Sequence, residues 1–325
     1  MYFSKLQERG SVIDMRQFKK TLNTYKGMTA RNIKVYMKDR MAIILSMLTQ
    51  IIVLGLYLMF LKDSYVDSIK MFLTEVEHLV TDKDIEAVVN AWLIAGVIGT
   101  SVVTVALNSL TVMVSDKQEK IDFDYNATPA KPFVVVLSYF SGAVISTFLI
   151  SSVLLTAGFI FLAINGTFFY TLTDILMIYG LVLLGSVSGT IVLMLFTSFF
   201  KKNSTLSSFG IMISAAIGFV IGAYIPVSQF GDSVQTVVNL VPGSHIAGLM
   251  RNVLMTPAID NINTALGGID NGAFAESANE MFALNLNIFE NNAGADFMLI
   301  YSVAVIAVFF ILNLVFYKFS SKRKS

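Results

Sequence analysis

Residues 91–114 read AWLIAGVIGTSVVTVALNSLTVMV, 24 consecutive residues without a charged side chain. A helix of about 20 apolar residues crosses the roughly 30 Å of hydrocarbon in a bilayer. The flanks of this stretch are unequal. Residues 62–90 before it carry three Lys and seven acids, whereas residues 115–132 after it return to Lys117, Lys120 and Lys131. Such an asymmetry marks a span whose C-terminal end faces the cytoplasm, because cytoplasmic loops retain Lys and Arg.

Working outward, five more stretches qualify as spans, at about 41–61, 134–164, 173–199, 205–225 and 297–317. The connections then alternate sides. Residues 1–40 hold ten Lys and Arg, the turn at Lys201-Lys202 is basic, and so is the tail with Lys318, Lys322, Arg323 and Lys324. Residues 165–172 are uncharged, and residues 226–296 carry seven acids against the single basic residue Arg251. In all, 19 of the 23 Lys and Arg fall on one side. The expected fold is an all-α integral membrane protein of the cell membrane with six spans and both termini in the cytoplasm. Residues 1–40 form a basic cytoplasmic element and residues 41–325 the membrane domain.

Composition agrees with that class. The chain of 325 residues is 55% hydrophobic and only 14% charged, against roughly 25% charged in a soluble domain. A net charge of +1 provides no global basic field, so nucleic acid is not an expected partner. With no cysteine, disulfides and thiolate metal sites are excluded. The first 40 residues contain no short apolar core of a cleavable signal, so the first span is expected to be its own insertion signal.

Before the first span, Phe18, Leu22, Tyr25, Thr29, Ile33 and Tyr36 recur at helical spacing among Lys and Arg. This predicts an amphipathic basic helix in the headgroup plane, interrupted near Gly27; the alternative is a positively charged topogenic flank. After the fifth span, Asp232 and Ser244 are positioned to cap two short helices separated by Pro242-Gly243, the second ending at Pro257. Their apolar stripes predict helices resting on the outer bilayer surface or closing the top of the bundle. Pro226, Pro242, His245 and Arg251 belong to these outer helices. Phe274, Ala278, Met281 and Phe282 hint at one more short helix.

Gly210, Ser214, Gly218 and Gly222 place a small residue at every fourth position of the fifth span, and Ser138, Gly142 and Ser146 repeat the pattern in the third. The pattern admits close backbone approach, either at a seam with a second subunit or between helices of one chain. The span cores contain almost no ionisable residue, which argues against an ion-coupled carrier and a charged pore. An apolar interior suits amphipathic or lipid-like cargo. His78 and His245 belong to no HExxH pattern, and no GxxxxGK[ST] phosphate loop is present. The loop at 115–132 mixes both charge signs with Ile121, Phe123 and Tyr125, as a docking knob or a solvated loop would.

Taken in order, these segments resemble the membrane subunit of type-2 ABC transporters. The resemblance rests on Arg31-Asn-Ile-Lys-Val-Tyr-Met-Lys-Asp-Arg40 leading into span one, and on Asp116-Lys117, Asp122-Phe123 and Ala127-Thr128-Pro129 after span two. It rests further on Tyr224-Ile-Pro-Val-Ser228, Leu240-Val-Pro-Gly-Ser-His245 and Leu249-Met-Arg251 after span five. The stretch at about 258–296 departs from that pattern. The resemblance implies a partner ATPase holding ATP and Mg, and a second permease chain, identical or related. It also implies a coupling segment in which Asp116, Lys117, Glu119, Asp122, Phe123 and Pro129 meet the ATPase. The function implied is export of a drug, antimicrobial peptide or lipid-linked glycan, with no catalysis in this chain. The competing readings are an ATPase-independent carrier or channel, and a receptor or scaffold that binds a ligand through residues 226–296.

Overall fold

The computed structural model describes residues 2–74, 76–128, 130–289 and 291–322. Pro129, Arg323 and Lys324 lie outside the described residues. The chain is a helical bundle in which six helices are long and apolar enough to cross a membrane. Helix α1 (Tyr2–Lys38) is followed by α2 (Arg40–Leu56), which continues through a π turn at Tyr57–Leu61 into α3 (Lys62–Phe72). Then come α4 (Asp82–Ser109), α5 (Thr111–Gln118), α6 (Ile121–Ala127), α7 (Pro132–Ile164), α8 (Leu172–Thr197) and α9 (Asn203–Val220). The last part holds α10 (Asp232–Asn239), α11 (Pro242–Leu266), α12 (Ala273–Phe282), the strands β1 (Leu286–Ile288) and β2 (Asn291–Ala293), and α13 (Ala295–Lys322).

Helix starts follow local chemistry. Thr81 and Asp84 form a capping box at α4, and Thr171 with Asp174 forms another at α8. The one acid near the end of that span is thereby accounted for as a cap. Asp39 accepts from the backbone of Ala42 at the start of α2, and Pro132 opens α7, where its missing N–H costs nothing.

Helix α4 is the central post, buried along nearly its whole length, with α2, α7, α8, α9 and α11 around it. Three of its polar side chains pair with these neighbours. The Tyr57 hydroxyl donates to Asn90 Oδ1 at 2.6 Å, the Gln50 amide pairs with the Thr104 hydroxyl at 2.9 Å, and the Ser101 hydroxyl donates to Ser151 at 2.9 Å. Glycines let backbones meet: a Cβ on Gly189 of α8 would lie 2.8 Å from the Val102 carbonyl oxygen of α4.

Two expectations change. Helix α1 runs unbroken through Gly27 and docks across α7. The Tyr25 hydroxyl donates to Ser141 Oγ at 2.7 Å, and Thr29, Asn32 and Tyr36 are buried, with Ile33 and Leu22 half-buried. Phe18 is 67% exposed and takes no part in that seat. Ser138, Gly142 and Ser146 of α7 form the seat, since a Cβ on Gly142 would lie 3.0 Å from Asn32 Cβ.

The second concerns the region after the fifth span. Helices α10 and α11 do not rest on top of the bundle. They form a V whose apex reaches the level of Val103, halfway along the continuous span Asp82–Gln118. From there α11 runs antiparallel to α4, and near its end Asn261 Nδ2 donates to Asp84 Oδ1 at 2.6 Å. It passes straight through Pro257. A helix-interior Pro costs about 3 kcal/mol, but Leu254, Met255, Ala258, Ile259 and Ile262 are all buried around it. Burying a single large aliphatic side chain recovers about 1.5–3 kcal/mol, so packing decides the outcome.

Candidate functional site

The bundle has a basic end, where α1, α5 and α6 meet, and an acidic end, where α12 and the β hairpin meet. At the basic end α5 is a junction of four helices. Asp116 is 2% exposed. It accepts from both terminal nitrogens of Arg31 on α1, one of them at 2.8 Å, and from the Tyr139 hydroxyl of α7 at 2.5 Å. The hydrogen bond to Asp116 raises the Arg31 pKa above its ordinary value. Lys117 Nζ donates to the Ser198 carbonyl at 3.0 Å, placing a cation at the negative C-terminal end of α8. Gln118 Oε1 accepts from the Asn203 backbone N–H at 2.7 Å and so caps α9, while Asn203 Nδ2 donates to Ser115 Oγ at 2.9 Å.

Lys120, at φ +63°, then turns the chain into α6. The residues named for coupling thus divide. Asp116 and Lys117 face the bundle, Asp122 is half-buried, and Glu119 and Phe123 lie on the surface. Arg31 and Tyr139 complete the junction. Neither was singled out for it from sequence, because 85 and 23 residues separate them from Asp116. The only signal was that each is a polar group beside an apolar run.

The V of α10 and α11 carries the other named residues. Arg251 is 1% exposed and, among the described residues, pairs with no carboxylate within 4 Å. Its Nη1 donates to the Ile221 carbonyl at 2.7 Å and its Nε to the Ala283 carbonyl at 3.1 Å. Ile221 and Ala283 close α9 and α12. Two negative helix ends therefore share one guanidinium, which offsets part of its burial while Nη2 stays without a partner. His245 is buried and stacks on Tyr301 of α13, with ring centroids 3.8 Å apart. The Tyr301 hydroxyl donates to the Leu240 carbonyl at 2.7 Å, pinning α13 to the apex. Pro226 is buried ahead of a short 3-10 turn at Val227–Gln229, and Pro242 occupies the first turn of α11.

The small residues of α9 are used largely within the chain. Gly210 faces Leu107 of α4, Gly218 receives the Tyr224 ring, and Gly222, at φ +73°, ends the helix beside Val227. Ser214 is half-buried, and the outward flank carries Ile211, Met212 and Phe219. Between α4, α8, α9 and the apex lies an apolar cleft of about 270 Å³ bounded by Val103, Gly189, Phe209, Ile213 and Pro242. Among the described residues no three His, Asp or Glu side chains gather as a metal site.

No family model matches the chain, and no curated protein or solved structure matches it either.

Proposed function

We propose that this chain is the membrane-spanning subunit of an ATP-driven exporter, working with a separate ATPase that holds ATP and Mg and with a second permease chain. The observation that carries the reading is the Asp116 junction. A push on the exposed surface of α6 at Phe123 and on Glu119 at the end of α5 passes through Asp116 to α1 and α7, through Lys117 to α8 and through Gln118 to α9. Such a node suits a lever that converts closure of a cytosolic engine into movement of spans. The segregation of 19 of 23 Lys and Arg favours a cytoplasmic basic end with both termini inside. On this reading the exposed apolar and basic faces of α1 meet lipid headgroups, and α10–α11 re-enter the bilayer from outside. The apolar cleft supports an amphipathic or lipid-like cargo over a hydrophilic one.

The test is reconstitution of the chain with its ATPase, scoring ATP hydrolysis against a panel of amphipathic drugs, peptides and lipid-linked sugars. Phe123→Ala is expected to abolish cargo stimulation while both subunits still co-purify. Cargo flux from this chain alone under an ion gradient would refute the assignment in favour of a self-contained carrier.

A further inference from the structure

The stretch at 258–296, the outer limb of the V and the turn at Val227–Gln229 line an open cavity of about 300 Å³ at the acidic end. Six of its ten lining residues are amides, beside Val227, Ser228, Glu280 and Ala283. Strand pairing sets Asn287 opposite Asn292, while the adjoining pair Leu286 and Ala293 is buried. Because side chains alternate across a strand, the hairpin keeps its apolar face on the bundle and turns its Asn face to the cavity. Gln235 and Asn239, one turn apart on α10, supply a second wall, and Asn279 and Asn285 a third.

Two amide oxygens remain without a partner. Asn239 is 1% exposed, and its Nδ2 donates to the Asn287 carbonyl at 2.9 Å, yet its Oδ1 accepts nothing. Asn287 Oδ1 is likewise buried and unpartnered. Neither oxygen touches solvent as placed, and a rotation of either amide would bring an unused acceptor to a hydroxyl seated in the cavity.

Acceptor oxygens and the carboxylate of Glu280 disfavour an anion. A hard cation binds oxygens at about 2.3–2.6 Å and would leave most of a 300 Å³ space empty. That volume lies at the small end of ligand sites, about 300–1,000 Å³. Hydroxyls both donate and accept, matching a wall of amides that do the same. We infer that this cavity binds a neutral polyhydroxylated group of one or two sugar rings, either free or as the headgroup of a glycolipid. The inference does not rest on the exporter assignment, and its measurement needs neither ATPase nor flux.

The full chain in nanodiscs is titrated with lactose and N,N′-diacetylchitobiose, and in a second arm is reconstituted with a lactosyl glycolipid. Binding with a Kd of about 1 mM or tighter is expected in at least one arm. A response to the free sugars assigns a soluble glycan, and a response only to the glycolipid assigns a headgroup. Asn287→Ala with Asn292→Ala is expected to weaken it at least tenfold while Trp92 fluorescence reports an unchanged melting curve. If that pair alters the melt, Asn292→Phe, which fills the cavity from an exposed position, is expected to give the same loss. No binding in either arm, equal affinity in the wild type and the cavity variant that melts normally, or preference for an extended peptide over the sugars overturns the inference.

Discussion

Replacing Arg251 with Met tests whether one guanidinium holds two helix ends. Met has similar reach without donors, so the change deletes the bonds to Ile221 and Ala283 and leaves both carbonyls buried. Hydrogen bonds to a charged group contribute about 1.5–3 kcal/mol each, or about 3–6 kcal/mol for the two. Part of that is offset because a buried ion carries a desolvation penalty of several kcal/mol that Met does not. The expected net loss is about 2–4 kcal/mol. Arg251→Lys is expected to fall between, since an ammonium cannot span both carbonyls with fixed geometry. The assay is built into the chain. Trp92 is the only tryptophan, and its ring lies 5.8 Å from that of Phe282 on α12, one of the two helices that Arg251 caps. Denaturation followed by its fluorescence therefore reports undocking of α12 directly. A Met variant within about 0.5 kcal/mol of the wild type, the range of an ordinary surface substitution, would refute the capping role.

Asp116→Asn keeps the shape of the junction but removes its charge. Arg31 is partly solvated, so the expected loss is only about 1–2 kcal/mol, with faster proteolysis of α1 in the intact protein as the readout. Since the chain has no cysteine, Asn32→Cys with Gly142→Cys is expected to cross-link under mild oxidation. Failure to cross-link, seen as an unchanged fragment pattern after cleavage between the two positions, would place α1 elsewhere. Gly189→Leu drives a side chain into the Val102 carbonyl and is expected to cost about 1–3 kcal/mol, measured as a lower unfolding midpoint; Gly180→Ala on the same helix, where a Cβ meets open space, is the control and should keep or slightly raise it.

The six apolar helices were legible because a run of uncharged residues long enough to span hydrocarbon is a property of composition alone. Helix α11 was not legible as a core element. It carries Pro242, His245, Arg251 and Pro257, which read as outer helices interrupted by prolines. Its burial depends on partners distant in sequence: carbonyls of α9 and α12 for Arg251, and the Tyr301 ring for His245. At the basic end, Asp116 and Lys117 stood out as charges at the end of a span, but spacing could not disclose Arg31 and Tyr139. The glycine pattern of α9 was visible, yet whether it faced a second chain or Tyr224 was a matter of how the helix ends. The amide cavity had no local signal, because three-residue strands and scattered Asn resemble any loop.

The central position of α4 constrains how the protein is made. In hydrocarbon, a lone α4 would satisfy Thr100, Ser101 and Thr104 on its own carbonyls but would present the Asn90 amide to lipid. Helix α2 and the π turn that continues it leave the ribosome first and already carry Gln50, which pairs with Thr104, and Tyr57, which donates to Asn90. Ser101, which already bonds the Ile98 carbonyl of its own helix, adds Ser151 when α7 arrives. On the proposed membrane reading, the two earliest spans are therefore best delivered to the bilayer as a pair.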